Sequence, residues 1–164
     1  MIVDSSVLIH LSRIGELSLL KEFLGKVTIT EDVYRETVEE SAGRAGSSAI
    51  EQACGDWIDV REPKDKKVLD SIVGLEGIER ADASLILMAE EKGDALISND
   101  LALIRVARSR GVESWWLTTL ILKMTAKGKM SKEEAKAVLI ELVETGLRLS
   151  PEVYTSVLGR IDEM

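Results

Sequence analysis

Short apolar runs alternate with helical stretches along the first two thirds of the chain, and this alternation constrains the fold more than any other feature. Strands are predicted at 1–3, 27–30, 57–60, 95–98 and 112–115. Strands that alternate with helices form a mostly parallel sheet whose two faces are covered by those helices. The pattern therefore predicts an α/β fold with a central, mostly parallel sheet.

The helices are located by their periodicity and by their capping residues. We predict a helix directly after the first strand and others at 16–24, 32–40, 79–92, 101–110, 117–127, 132–144 and 151–160. Ser5 and Ser6 are predicted to cap the first of them, and Ser131 with Glu134 forms a capping box for a later one. The segment 41–48 contains two glycines and is predicted to be a mobile loop.

The length of 164 residues suits one domain and is too short for two ordinary ones. We expect a core at about 1–116 and a C-terminal helical extension at about 117–164. The only cysteine is Cys54 and the only histidine is His10, which excludes internal disulfides and most zinc centres. No apolar run approaches the roughly 20 residues of a membrane span, and the first strand leaves no room for a signal peptide. We expect a cytoplasmic protein that does not bind membranes.

Charge limits the ways in which the chain can bind nucleic acids. There are 21 Lys and Arg against 29 Asp and Glu, which gives a net charge of −8 and a pI of about 4.8. This balance argues against a module that simply coats phosphates, but it allows an acidic site that reaches phosphate through a cation. The best local basic patch is Arg105 and Arg108 on one helix, which are weak candidates for substrate contact and equally suit a solvated helix face.

Four carboxylates are predicted to meet at one edge of the sheet. Asp4 and Asp100 each follow an apolar strand directly, and ligands of open α/β sheets bind outside the carboxyl ends of the strands. Glu36 and Asp82 lie early in helices that begin at the same edge. Asp82 is the most informative, because Leu85 and other apolar residues lie on the same helix face, which places an acid on a buried stripe.

Each of these acids also has a purely structural interpretation. Asp4 and Asp100 are well placed to cap helices, Asp82 to interact with a helix dipole, and Glu36 to belong to a solvated charged face. Their predicted convergence favours a shared site. Several carboxylates without histidine or cysteine form a hard oxygen site, which suits Mg²⁺ or Mn²⁺ rather than zinc.

The sequence resembles the PIN-domain ribonucleases, most closely the small prokaryotic VapC-like toxins and their relatives with extra C-terminal helices. The motifs that carry this resemblance are Ile2 to Ile9, Val33 to Glu36, Arg80 to Ala89 and Leu96 to Leu101. The resemblance implies a three-layer α/β/α fold, Mg²⁺ or Mn²⁺ binding, metal-dependent cleavage of RNA and homodimers. It also implies an antitoxin partner for those members that are toxins.

The leading hypothesis is an endoribonuclease in which Asp4, Asp82 and Asp100, with Glu36, bind one or two divalent ions. Ser5 and Ser98 are assigned either to helix capping or to contact with a metal water or phosphate. The alternative is a catalytically inactive PIN-like module that binds RNA or a protein partner.

The sequence also disfavours one other enzyme class and departs from the relatives at one site. An aspartyl-phosphate phosphatase is disfavoured because it needs a second Asp where this chain has Ser6. Trp115 and Trp116 replace the small residues of the relatives and are predicted to be core or dimer-interface anchors.

Overall fold

The computed structural model describes all 164 residues as five strands and ten α-helices with one π-helical segment. The strands are β1 Ile2–Val3, β2 Val27–Thr30, β3 Ile58–Arg61, β4 Leu96–Ile97 and β5 Ser114–Trp115. The helices of the first half are α1 Ser5–Arg13, α2 Ser18–Leu24, α3 Glu31–Tyr34, α4 Ser47–Cys54 and α5 Lys66–Glu76. Those of the second half are α6 Arg80–Lys92, α7 Leu101–Ser109, α8 Leu117–Ala126, α9 Lys132–Glu144 and α10 Pro151–Glu163.

All strand pairs of the sheet are parallel, and the order is β3-β2-β1-β4-β5. β1 is therefore the central strand, with Ile2 opposite both Thr28 and Leu96. Helices flank the sheet in the predicted three-layer α/β/α arrangement. Because the strands are parallel, the residues that follow them all emerge at one edge, which is where Asp4 and Asp100 begin their helices.

The core is built almost entirely from aliphatic side chains. One cluster of 38 buried residues runs from Ile2 to Ile161 and joins the sheet to the three C-terminal helices. A second cluster contains Leu69, Ile72, Ala83 and Leu87, and it packs α5 against α6. This small cluster fixes the position of the α6 N-terminus, which carries Asp82.

Several predicted elements are confirmed and others are wrong. The strand at 27–30, the helix at 132–144 and the capping box of Ser131 and Glu134 are as predicted. The predicted helix at 32–40 is instead one turn of α3 followed by a π-helix over Arg35–Glu39. The predicted loop at 41–48 is too long, since α4 begins at Ser47.

Two helices were not predicted at all, namely α4 and α5. No helix has both the length and the apolar character that a membrane span requires.

Candidate active site

A cavity of about 490 Å³ opens at the carboxyl edge of the sheet, and all four predicted acids line it. Asp4 is the N-cap residue of α1 and Asp100 is that of α7. Asp82 lies in the first turn of α6, and Glu36 lies in the π-helical segment. The structure therefore brings together the four side chains that the sequence placed at this edge.

Asp4 is the most firmly held of the four. Its side chain is only 7% exposed, and three serine hydroxyls donate hydrogen bonds to it. Ser6 Oγ and Ser98 Oγ donate to Oδ2 at 2.6 and 2.8 Å, and Ser5 Oγ donates to Oδ1 at 3.3 Å. The prediction that Ser5 and Ser6 cap α1 is wrong, because both are helical residues that orient the carboxylate of the N-cap residue.

The same serines connect the first strand to the loop that carries Asp100. The Asp100 backbone N–H donates to Ser98 Oγ at 2.9 Å, and the Asn99 backbone N–H donates to Ser6 Oγ at 3.1 Å. Each hydroxyl thus accepts from one loop while it donates to Asp4. Ser98 is fully buried, and its hydroxyl sets the position of Asp4 relative to Asp100.

Asp100 retains the capping role that was its structural interpretation. Its Oδ1 accepts a hydrogen bond from the Leu103 backbone N–H at 2.9 Å, while the residue as a whole is exposed. One carboxylate oxygen therefore anchors α7 and the other remains available at the cavity. Asp100 can therefore cap α7 and line the acidic cavity at the same time.

The surroundings of Asp82 disfavour the ionised form of its carboxyl. It is half-buried, and burial raises the pKa of its carboxyl to about 6, with the negative charges of Asp4, Asp100, Glu79 and Glu36 adding to the effect. No hydrogen bond offsets this rise in the pKa. A carboxylate with several acidic neighbours and no donor is energetically strained when it is ionised.

Glu36 reaches the cavity from a π-helix, a conformation that is rare and is found often at functional sites. The wide turn is closed by the Glu40 backbone N–H, which donates to the Arg35 carbonyl at 2.9 Å. Hydroxyls satisfy two further carbonyls, since Thr37 Oγ1 donates to Val33 and Ser41 Oγ to Glu36, each at 2.7 Å. As a result, Glu36 lines the acidic cavity while Arg35 and Glu39 do not.

The sequence analysis missed a fifth acid, Glu79. This residue is the N-cap of α6 and lines the same cavity, where its charge contributes to the raised pKa of Asp82. A sequence signal was available, because Glu79 is the first residue of the predicted helix that carries Asp82.

The cavity contains no basic residue. None of its 13 lining residues is Lys, Arg or His, although five of them are carboxylates. Neither Arg105 nor Arg108 lines it, and Arg108 instead donates a hydrogen bond to the Ser114 carbonyl at 3.0 Å. Nearby Arg110 is engaged by Glu76 and Glu90.

The chemistry of the donor set fits a hard divalent cation. Carboxylate oxygens are the ligands that Mg²⁺ and Mn²⁺ prefer, and the uncompensated charge around Asp82 is the condition that a cation relieves. As they stand, however, no three His, Cys, Asp or Glu side chains are arranged to hold a metal ion. Binding would therefore require these carboxylates to rotate toward one another.

The other singled-out side chains lie outside this cavity. His10 is half-buried in α1, and burial with the nearby Arg13 lowers its pKa. Cys54 is a half-buried free thiol. Trp115 is half-buried, and the ammonium of Lys123 lies 4.3 Å from its ring centre.

Comparisons with known proteins relate nearly the whole chain to one family and to one solved fold. The family model described as DUF3368, PIN domain, matches residues 1–163. The crystal structure of PAE2754 from Pyrobaculum aerophilum is similar, with a TM-score of 0.55 and 20% sequence identity over 76% of this chain and 96% of that chain. At this identity the likeness shows a shared fold. No curated protein matches the chain.

Proposed function

The chain belongs to the PIN-domain family, and on that premise we propose that it is a divalent-metal-dependent endoribonuclease whose acidic cavity receives the scissile phosphodiester. Membership of the family indicates a nuclease-type function in general. The proposal adds the metal, the RNA substrate and the residues that carry the reaction.

One observation carries this proposal, namely the convergence of five carboxylates on a cavity that has no cationic side chain. A purely structural cluster would be expected to include a Lys or Arg partner, because unpaired like charges destabilise the folded state. Asp82 illustrates the cost of ionising an acid in this cavity, since burial and its acidic neighbours raise its pKa to about 6. The missing positive charge is most simply supplied by a bound ion.

The four predicted acids differ in burial, since Asp4 and Asp82 lie deeper than Glu36 and Asp100. We assign Asp4 and Asp82 as metal ligands together with the free oxygen of Asp100. When bound, Mg²⁺ or Mn²⁺ supplies positive charge for the phosphodiester and Lewis acidity for the activation of water. Glu36 and Asp100 are exposed, so their carboxylates face the solvent from which the attacking water and the substrate arrive.

The serine hydroxyls act on the reaction through Asp4. Ser6 and Ser98 hold its carboxylate in one orientation, and their second hydrogen bonds link it to the loop of Asp100. Asp4 is therefore preorganised, and the rotation that metal binding requires falls on the less constrained acids around it.

Cleavage of RNA by the purified protein tests the proposal. Activity should require Mg²⁺ or Mn²⁺, stop on addition of chelator, and be lost in Asp4→Asn and Asp100→Asn while the far-UV circular dichroism is retained. Glu36→Gln should also be impaired. Glu40→Gln is the matched control, because Glu40 lies on the same segment but lines neither main cavity. Chelator-resistant cleavage that survives Asp4→Asn would refute the proposed mechanism.

A catalytically inactive module that binds RNA or protein is the second candidate. It is favoured by the absence of any three side chains already arranged to hold a metal ion. Stabilisation by Mn²⁺ without cleavage of any RNA would support this second candidate.

The resemblance to VapC-like toxins extends the proposal to a homodimeric toxin with a protein antitoxin. Growth arrest on expression, relieved by Asp4→Asn, would support that role. Normal growth with an active nuclease would favour a stand-alone enzyme.

A further inference from the structure

A second and larger cavity of about 1010 Å³ lies beside the acidic cavity at the same edge of the sheet. It is formed by residues at the carboxyl ends of β2 and β3, including Thr30, Glu31 and Glu62, together with Arg80 and Ser84 from α6. No role for this cavity follows from the proposed chemistry at the acidic cavity.

The two cavities share their walls. Along the π-helical segment, Arg35 lines the larger cavity and the next residue, Glu36, lines the acidic one. Along α6, Ser84 lines the larger cavity and Asp82 the acidic one. An RNA strand with a phosphate at the acids would therefore bring a neighbouring nucleoside to the larger cavity, because neighbouring residues of one shared wall line the two cavities.

The wall between the cavities is a defined structure. Asp32 accepts a hydrogen bond from Ser84 Oγ at 3.3 Å, which ties α3 to α6, and Arg35 forms an ion pair with the same Asp32. The positions of the two cavities relative to each other are thereby fixed by side-chain contacts.

The lining of the larger cavity suits a planar heterocycle with polar edges. Pro63 and Leu69 are buried and Val60 is half-buried, so they supply an apolar floor, and Tyr34 is the only aromatic lining residue. Five carboxylates line the cavity against three basic residues. This excess of acid disfavours a phosphate at this position and favours a group that donates hydrogen bonds.

Glu31 and Glu62 are the carboxylates that best define such a group. Both line the cavity and interact directly, and the charge of Glu62 raises the pKa of Glu31. The pair therefore offers adjacent acceptor oxygens. Guanine presents two adjacent donors, N1–H and the N2 amino group, to a carboxylate. Uracil presents two carbonyl acceptors around a single N–H and would face carboxylate oxygens unfavourably.

We propose that the larger cavity is a base-recognition subsite that takes a guanine adjoining the phosphodiester held at the acidic cavity. This inference rests on the proposed nuclease function and adds sequence preference to it. Glu31 and Glu62 read the Watson–Crick edge of the base, and the apolar floor contacts its ring. The lining residues Arg35, Lys66 and Arg80 are assigned to contact with the sugar-phosphate backbone.

Mononucleotides test the subsite without being consumed, because they contain no phosphodiester. The dissociation constants of the 5′- and 3′-monophosphates of guanosine and uridine would be measured by NMR titration of the wild-type protein in Mg²⁺. We expect one guanosine monophosphate to bind roughly tenfold more tightly than the matching uridine nucleotide, since a good bidentate contact discriminates by about that factor or more. Amide shifts should include Tyr34 and Arg35.

Variants of the paired acids identify which residues give the preference. Glu62→Gln and Glu31→Gln remove negative charge and therefore improve the binding of every nucleotide, so the guanosine-to-uridine ratio is the informative quantity. This ratio should fall toward one in both variants and stay unchanged in Glu40→Gln.

The outcomes separate this inference from the proposed function. Equal binding of the two bases, a preference that persists in Glu62→Gln, or no mononucleotide binding by a protein that cleaves RNA would overturn the subsite alone. Absence of metal-dependent RNA cleavage by the wild-type protein would overturn the nuclease function and the subsite with it.

Discussion

Replacement of Asp82 by Asn isolates the electrostatic cost of the acidic cavity. In the folded protein, burial and the surrounding acids raise the pKa of this carboxyl from an ordinary value of 3.8 to about 6. For a fully buried group, a rise of this size in the pKa would lower the free energy of unfolding by about 3 kcal/mol, because one pKa unit corresponds to about 1.36 kcal/mol. Asp82 is half-exposed, so solvent screening reduces the figure to about 1.5 kcal/mol.

A second effect opposes the stability that is gained when the charge of Asp82 is removed. Asp82 lies in the first turn of α6, where a negative charge interacts favourably with the helix dipole, and its loss costs about 0.5 kcal/mol. The metal-free Asp82→Asn protein should therefore be more stable than the wild type by about 1 kcal/mol at pH 7.5. For a chain of this length the melting temperature should rise by about 2 to 4 °C.

The higher stability of the Asp82→Asn protein should disappear at low pH. The folded-state pKa of Asp82 is raised, so its ionisation destabilises the fold fully above about pH 6 and not at all below about pH 3.8. Differential scanning calorimetry in chelator between pH 4 and 8 should show the two proteins converging as the pH falls through this window.

Glu152→Gln provides a control, because the pKa of Glu152 is lowered where that of Asp82 is raised. Glu152 also lies in the first turn of a helix, but hydrogen bonds from its own backbone and from Ser150 lower its pKa. Its replacement should not raise stability at pH 7.5. If Asp82→Asn is less stable than the wild type at pH 7.5 in chelator, then Asp82 has a structural role and the like-charge cluster is refuted.

Three further predictions follow from the same structure. Mg²⁺ or Mn²⁺ at about 100 times its Kd should stabilise the wild-type protein by about 2.7 kcal/mol, which raises the melting temperature by roughly 5 to 10 °C. In thermal-shift assays Asp4→Asn should lose most of this rise, and a full rise in that variant would contradict the ligand assignment. Replacing Arg105 and Arg108 by Ala should flatten the salt dependence of RNA binding by about one unit of slope per lost phosphate contact, and an unchanged slope in binding titrations would return both residues to the solvated surface. Gly46→Ala should lower the free energy of unfolding, measured in urea, by about 2 to 3 kcal/mol, because an added Cβ would lie 2.3 Å from Ser12 Oγ at a φ of +92°. Gly43 also has a positive φ but no close neighbours, so Gly43→Ala should cost about 1 kcal/mol, and equal losses in the two variants would exclude the Ser12 contact as the cause.

The sheet and the four acids could be predicted because their signals are local. Asp4 and Asp100 directly follow apolar strands, and the fold rule that ligands bind at the carboxyl edge then brings them together. Asp82 could be recognised because an acid on an apolar helix stripe is unusual.

The features that were missed depend on side-chain hydrogen bonds. The position of Ser98 in the sequence suits a cap or a ligand contact, but its hydroxyl bonds to Asp4, which lies 94 residues earlier. In the π-helical region, the hydroxyls of Thr37 and Ser41 donate hydrogen bonds to the carbonyls of Val33 and Glu36. No periodicity in the sequence reports such bonds.

The missed helix α5 shows a different difficulty. It buries only Leu69 and Ile72 and has a glycine in its interior, so its apolar pattern is too sparse to stand out. Its ends were nevertheless marked, since Asp65 caps its start and Gly77, in the left-handed conformation, ends it.

Anomalous X-ray scattering from crystals grown with Mn²⁺ tests the proposed metal centre most directly. The predicted result is an anomalous difference peak in the acidic cavity within coordination distance of Asp4, Asp82 and Asp100, and no such peak in Asp4→Asn. A fully occupied Mn²⁺ elsewhere on the protein, with the acidic cavity free of anomalous density, would contradict the assignment of these carboxylates as the metal ligands.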